Sequence, residues 1–325
     1  MNYILSADIG GTKTLLRLAQ PGCLPLWQKS FVSASYSGMP EMLREFLREA
    51  GSVKITAACL AVAGPVHGRH AQLTNLPWAV DADALAAEFS ISKLALINDF
   101  EAVGYGFAAL QANQLLSLQT GVEQLHAPQI VVGAGTGLGV AWLTWQDGAY
   151  QVHPSEGGHL DFAPTSDLEY ELLKYLQRRH GHVSYERIVS GPGLLAIYEF
   201  LRDTGVAQPS AVLIEAMQCE DASAVISRFA LESDEAIANL ALDLFVKIYG
   251  AFVGNIALAA LPRGGIFIAG GIAAKIAERI GQGEFLRSFL DKGRFAALLA
   301  SLPLHIVLEP HVGLLGAEQF AARSL

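Results

Sequence analysis

The sequence predicts an α/β protein made of two similarly built halves, and three observations carry that prediction. Short apolar runs alternate with runs of helical spacing along the 325 residues. A strand, a glycine turn and a second strand occur twice, as "DIGGTKT" from residue 8 and "GAGTGLG" from residue 133. Hydrophobic residues make up 52% of the chain and charged residues 16%, so a large core can be buried and global disorder is excluded.

The elements follow in order. "YILSAD" begins the first strand, and the glycine turn returns it as a second. "KITAACLAVAG" (54–64) reads as a buried strand ending at glycine, and "DADALAAEF" (81–89) as a short helix capped by aspartate. "KLALIND" (93–99) is another strand, followed by helix-like "FEAVGYGFAAL". "QIVVGAGTGLGVAWLTW" (129–145) repeats the strand–turn–strand frame. "NLALDLFVKIYGAFVGNIALAAL" (239–261) has apolar spacing for a long helix. "GGIFIAGGI" (264–272) is a buried strand stopped by two glycines, and "AAKIAERI" continues as helix.

The formal charge of −9 argues against a nucleic-acid or anionic-membrane partner, which would want the opposite sign. Cys23, Cys59 and Cys219 are far apart, fit a reducing compartment and give no disulfide framework. No CxxC or HExxH spacing offers a metal site. The chain starts almost at once in a strand, with no basic leader and no apolar span, so a cytoplasmic protein is expected.

The glycine turns point to phosphate. Backbone N–H groups at such a turn can converge on an anion, and threonine adds a hydroxyl donor. Asp8 beside the first turn would repel a bare phosphate, but suits one that carries Mg²⁺. An ordinary hairpin with a glycine tip is the plain alternative. GxxxxGK[ST], GxGxxG and the protein-kinase signatures are all absent. The double glycine Gly270–Gly271 leaves room for a flat group against backbone, or simply for a strand-to-helix turn.

"ALINDF" sets Asn98 and Asp99 just past a buried strand, where ligands sit in open α/β sheets. Asp99 suits the base that takes a proton from an attacking hydroxyl; equally, either residue suits a helix cap. "SEGGHLDF" carries Glu156 and His159 around two glycines, and "YERIVSGPGLL" carries Glu186 before a glycine–proline turn. Carboxylates, an amide and an imidazole together can satisfy a polyhydroxylated ring. Singly, they read as a structural histidine and a solvated charge.

In order along the chain, "DIGGT", "INDFEAVGYG", "GAGTGLGVA", "EGGHLDFAP", "SGPGL", "FIAGGI", "DKGRF" and "GLLGA" resemble the bacterial glucokinase family, and they span residues 8–317. The resemblance implies a two-domain, actin-like (ribonuclease H-like) ATPase fold of the hexokinase type. Each domain would hold a mixed five-stranded sheet flanked by helices, with a cleft between them. One domain would take residues 1–109 plus 300–325, the other 110–299. The implied reaction is ATP-dependent phosphorylation of D-glucose, or of another hexose or N-acetylated hexose.

The same resemblance implies the site. Asp8, Ile9, Gly10, Gly11 and Thr12 would face the phosphates of ATP, with Mg²⁺ near Asp8. Gly135 and Thr136 would face phosphate, Gly137 the sugar, and Gly270 with Gly271 the adenosine. Asn98, Asp99, Glu156, His159 and Glu186 would hold glucose, Asn75 would lie near it, and Asp99 would be the catalytic base. A homodimer is expected. Lys13 and Ser155 depart from the family's usual residues, and "DKGRF" (291–295) has no assigned role beyond a basic helix end. Two other classes are disfavoured. A sugar-sensing regulator needs a helix-turn-helix, for which the chain shows no room. A dehydratase activator needs cluster-ligating cysteines.

Overall fold

The computed structural model describes residues 3–51, 53–73 and 76–323. The chain divides into two compact units, Met1–Ala112 with Gln146–Pro154 and His311–Leu325, and Asn113–Trp145 with Ser155–Pro310.

In the first unit the strands are β1 (Tyr3–Ile9), β2 (Lys13–Ala19), β3 (Pro25–Val32), β4 (Ile55–Val62), β5 (Val66–His67), β6 (His70–Gln72), β7 (Ala79–Asp81) and β8 (Lys93–Asn98). Five of them form a mixed sheet in the order β3-β2-β1-β4-β8. The β1/β2 and β2/β3 pairs are antiparallel; β1/β4 and β4/β8 are parallel. Ile9, Val62 and Asn98 therefore share one row at the carboxyl edge. β5, β6 and β7 make a small separate sheet that the sequence reading does not anticipate. Met39, Met42, Leu43 and Phe46 of helix Met39–Ala50 are buried, as apolar spacing requires. Elsewhere in the unit, helix Asp99–Gly106 meets helix Val312–Ala322 at backbone distance. A Cβ on Gly316 would stand 1.7 Å from the Ala102 carbonyl oxygen, and one on Gly106 2.3 Å from that of Val312.

The second sheet continues the numbering with β9 (Leu115–Gln119), β10 (Gln129–Ala134), β11 (Leu138–Gln146), β12 (Ala149–Ser155), β13 (Gly265–Ala269) and β14 (Leu304–Val307). Its order is β12-β11-β10-β13-β14-β9, one strand more than expected, because β9 adds antiparallel to β14 at the edge. The chain passes between the units at the β11–β12 turn, where Asp147 and Gly148 both take positive φ (50° and 83°), as a type I′ turn needs. β10 pairs antiparallel with β11 and parallel with β13, just as β1 pairs with β2 and β4. The echo between the two glycine turns is thus an echo between two sheets.

Helix Ala236–Ala260 is apolar on nearly every side because it runs through the core of the second unit. It is long and apolar enough to cross a membrane, but 72% of its most apolar window is buried inside the protein. "AAKIAERI" is not one helix: the chain bends at Ile276 (φ −103°, ψ 19°), between Gly271–Lys275 and Ala277–Gly281.

Candidate active site

In the first unit, β1 delivers Asp8 to the carboxyl edge and the chain turns at once. Gly10 N–H donates to the Lys13 carbonyl at 3.0 Å, which closes the turn. Lys13 serves through its backbone and its side chain is exposed, so many residue types fit there. The Gly10 carbonyl accepts the Ser33 hydroxyl at 2.8 Å, and the Thr12 carbonyl accepts the Ser33 N–H at 3.0 Å. The N–H groups of Gly11 and Thr12 have no partner among the described residues. The tip therefore presents two unengaged donors while the Gly10 and Thr12 carbonyls are taken up, which suits an anion.

Asn98 and Asp99 start the helix after β8. The Asn98 side chain caps it, accepting from Phe100 N–H (2.9 Å) and Glu101 N–H (3.3 Å), and donates through Nδ2 to the Gly64 carbonyl at 3.3 Å. Asn98 is thus a cap, one of the two alternatives the sequence left open. The Asp99 carboxylate accepts from Phe100 N–H at 2.9 Å. Burial, then the nearby charge of Asp8, push the Asp99 carboxyl up to about 6. Burial also raises Asp8, tempered by His311.

The second unit repeats the arrangement with other partners. Gly135 N–H donates to the Gly137 carbonyl, and the Gly135 carbonyl accepts Gly191 N–H, both at 2.8 Å. Again the tip N–H groups, here Thr136 and Gly137, have no partner among the described residues. Neither tip uses the left-handed backbone that glycine permits, for Gly10, Gly135 and Gly137 all lack positive φ. Their glycines supply room instead. A Cβ on Gly135 would meet nothing within 4 Å, whereas one on Gly137 would stand 2.6 Å from Glu186 Oε2.

Glu186 lies against this hairpin, its Oε2 accepting Leu138 N–H at 2.9 Å. His159 Nε2 is 3.7 Å from Glu186 Oε1 and 3.9 Å from Glu156 Oε2, so the three polar groups gather without being consumed by one another. The turn that carries Glu156 and His159 packs under β11, where a Cβ on Gly158 would come within 2.0 Å of the Leu138 carbonyl oxygen. Ser155, the second departure, caps this turn by accepting Gly157 N–H at 3.0 Å. Gly270 does need positive φ (89°), and a Cβ there would press on the Ala134 carbonyl at 2.7 Å; Gly271 faces open space.

The first unit thus brings together Asp8, Ile9, the Gly10–Thr12 tip, Asn98 and Asp99; the second brings together Gly135, Thr136, Gly137, Glu156, His159 and Glu186. Asn75 lies outside the described residues. The sequence reading missed the residues that act through backbone. Thr14, an ordinary residue of β2, and Ser33, just past the end of β3, carried no signal. Ser190 and Gly191 stood in view within "SGPGL". The Ser190 hydroxyl, which holds the Glu186 carbonyl at 2.7 Å, also accepts Gly193 N–H at 3.1 Å as the helix cap. In "GLLGA", Gly313 comes up to Asp8, its Cβ position 3.4 Å from Oδ2. In "DKGRF", half-buried Lys292 lies across helix Ala236–Ala260, its Cε 2.7 Å from where a Gly254 Cβ would be. Burial holds the Lys292 ammonium below the usual lysine range.

Mg²⁺ can be tested against these residues. Among the described residues no group of three or more His, Cys, Asp or Glu is arranged to hold a metal. The half-buried Asp8 carboxylate has no hydrogen-bond donor among them either. One carboxylate without a donor, beside a tip with two unengaged N–H groups, fits a cation that arrives with phosphate and keeps most of its water.

The profile of the Glucokinase family matches residues 5–324. The glucokinase of Nostoc sp. strain PCC 7120 is 45% identical over 99% of this chain and 100% of its own length. The crystal structure of a glucokinase from an Antarctic psychrotroph superposes with a TM-score of 0.85 at 31% identity, covering 99% of both chains. That of Balamuthia mandrillaris glucokinase in complex with glucose shares the fold, with a TM-score of 0.84 at 24% identity over 99% of this chain and 94% of that one. With two sheets of one plan, two glycine tips that each leave two N–H groups unengaged and a family match over nearly its whole length, the chain belongs to the glucokinase family.

Proposed function

We propose that this chain transfers the γ-phosphoryl group of ATP to the 6-hydroxyl of D-glucose, releasing ADP and glucose 6-phosphate. The observation that carries the mechanism is Asp99 at the carboxyl edge of β8, pushed up to about 6. A general base works best with a pKa near the working pH, and most of this carboxyl is ionised at pH 7 while it still takes up a proton readily. As the sugar O6 bonds to phosphorus, its proton passes to an Asp99 oxygen. The bond from phosphorus to the β–γ bridging oxygen breaks, and ADP leaves with that electron pair.

The two tips have matching tasks. The N–H groups of Gly11, Thr12 and Thr136 donate to phosphate oxygens, where charge shifts during transfer, and Gly137 faces the sugar. Asp8 would hold Mg²⁺, which when bound neutralises phosphate charge. Asn98, Glu156, His159 and Glu186 bind the sugar hydroxyls, with Asn75 nearby, and Gly270 with Gly271 leaves room for adenosine. A cytoplasmic homodimer with no nucleic-acid or membrane partner completes the reading.

ADP release with Mg²⁺·ATP over glucose, mannose, fructose, N-acetylglucosamine and N-acetylmannosamine tests it. Glucose is expected to give the highest kcat/KM. A weak response to glucose beside a strong one to another sugar would reassign the substrate and leave phosphoryl transfer standing.

A further inference from the structure

We propose that Ser33 is a positioning residue of the phosphoryl transfer, acting through the backbone of the first glycine tip; this rests on the function proposed above. Ser33 follows β3 directly and is fully buried. It takes up two of the tip's carbonyls at once. Its N–H donates to Thr12 at 3.0 Å, and its hydroxyl donates to Gly10 at 2.8 Å. The Ser33 hydroxyl proton is thereby committed, so the equally buried Thr14 hydroxyl, 3.0 Å away, donates to Ser33 Oγ.

The consequence for the ligand is directional. A peptide unit has N–H and C=O on opposite sides, so holding the Gly10 carbonyl down turns the Gly11 N–H out. The hold on Thr12 likewise keeps its carbonyl away from the tip. An unheld carbonyl could rotate into the same space and set a partial negative charge against phosphate. Ser33 thus keeps the Gly10 and Thr12 carbonyls off the ligand side of the tip without touching any ligand. The second tip reaches the same end differently, its Gly135 carbonyl being held by Gly191 N–H at 2.8 Å. That two hairpins in separate units both have the carbonyl of their first glycine held and two N–H groups free makes that hold a shared feature.

Steady-state kinetics and thermal melting of Ser33→Ala and Thr14→Val, beside the wild type, test this. Ser33→Ala is expected to lower kcat/KM for ATP by about tenfold to about a hundredfold, the scale of misplacing a positioned group, with KM for glucose within about twofold. Thr14→Val removes a buried hydroxyl but leaves the Ser33–Gly10 bond. It is expected to lower Tm while ATP kinetics stay within about twofold. Should Ser33→Ala be insoluble, Ser33→Cys replaces it, with a similar volume and a weak donor, and is read against the same thresholds. ATP kinetics within twofold of wild type in the Ser33 variant, with only Tm reduced, overturn the proposal. So does equal damage from Thr14→Val. A wild type that phosphorylates no sugar sinks the proposed function instead, and is seen before any variant is read.

Discussion

The negative charge of Asp8 raises the proton affinity of Asp99, two strands away along the carboxyl edge of the first sheet. Strand spacing puts their backbones roughly 10 Å apart across β4. Burial is the larger cause and the charge of Asp8 adds to it, so that Asp99 is pushed up to about 6. With both substrates well below saturation, kcat/KM is therefore expected to fall as pH drops below about 6 and to level off above it, since a base must be unprotonated to act. Asp8→Asn removes the repulsion and is expected to move this acid limb to lower pH, whatever activity remains. A wild-type limb centred below pH 5 would exclude Asp99 as the base.

Asp99→Asn separates chemistry from stability. Turnover is expected to drop by ~10²–10⁴, with glucose affinity, followed by intrinsic fluorescence, nearly unchanged. Folding raises the carboxyl from its ordinary 3.8 to about 6, so between those values the unfolded chain has released a proton that the folded chain keeps. The ionised side chain opposes folding increasingly across that window and fully above it. Asparagine removes an opposition on the order of 1–3 kcal/mol. The variant should melt higher than wild type at pH 7.5, and the gain should vanish near pH 3.8. A lower Tm at pH 7.5 would contradict the burial argument.

Gly137→Ala probes the link between hairpin and carboxylate. The added Cβ would meet Glu186 Oε2 at 2.6 Å, and the carboxylate is the part able to move. It would leave the Leu138 N–H. KM for glucose is expected to rise about tenfold, the scale of one charge-assisted hydrogen bond, with Tm within a few degrees of wild type. An unchanged KM would mean that Glu186 does not hold the sugar.

Gly316→Ala should act through folding alone. The Ala102 carbonyl stands 1.7 Å from the new methyl, and neither helix backbone can yield that much without separating. A loss above about 4 kcal/mol is expected, read as insoluble protein or a Tm lower by about 10 °C or more. A soluble variant with wild-type Tm would show that the two helices pack less closely than described.

What was legible in the sequence were features with strong local causes. Asp81 caps its helix through Asp83 and Ala84 N–H as its position before "ADALAAE" implies, and β8 ends at Asn98 where the apolar run stops. Asp99, Glu156, His159 and Glu186 stood out because carboxylates and imidazole beside glycine turns are chemically conspicuous. Left-handed backbone was not the reason for glycine at the tips, and no pattern separates that reason from the need for room. Ser33 stayed hidden because its contribution is a hydrogen bond to a carbonyl 23 residues back, which depends on how β3 closes against β2. The break at Ile276 was missed because six of the eight residues of "AAKIAERI" are strong helix formers, and tertiary packing overrides propensity.

Helix Val312–Ala322 also sets a schedule for synthesis. It packs directly on the helix that begins with Asp99, yet it is made some two hundred residues later. While the ribosome is still translating the middle of the gene, the strand bearing Asp8 and the helix headed by Asp99 lack the element that packs on them. A ribosome stalled before codon 311 therefore leaves the helix headed by Asp99 without its packing partner. On the function proposed above, activity is expected only once this last helix has been made.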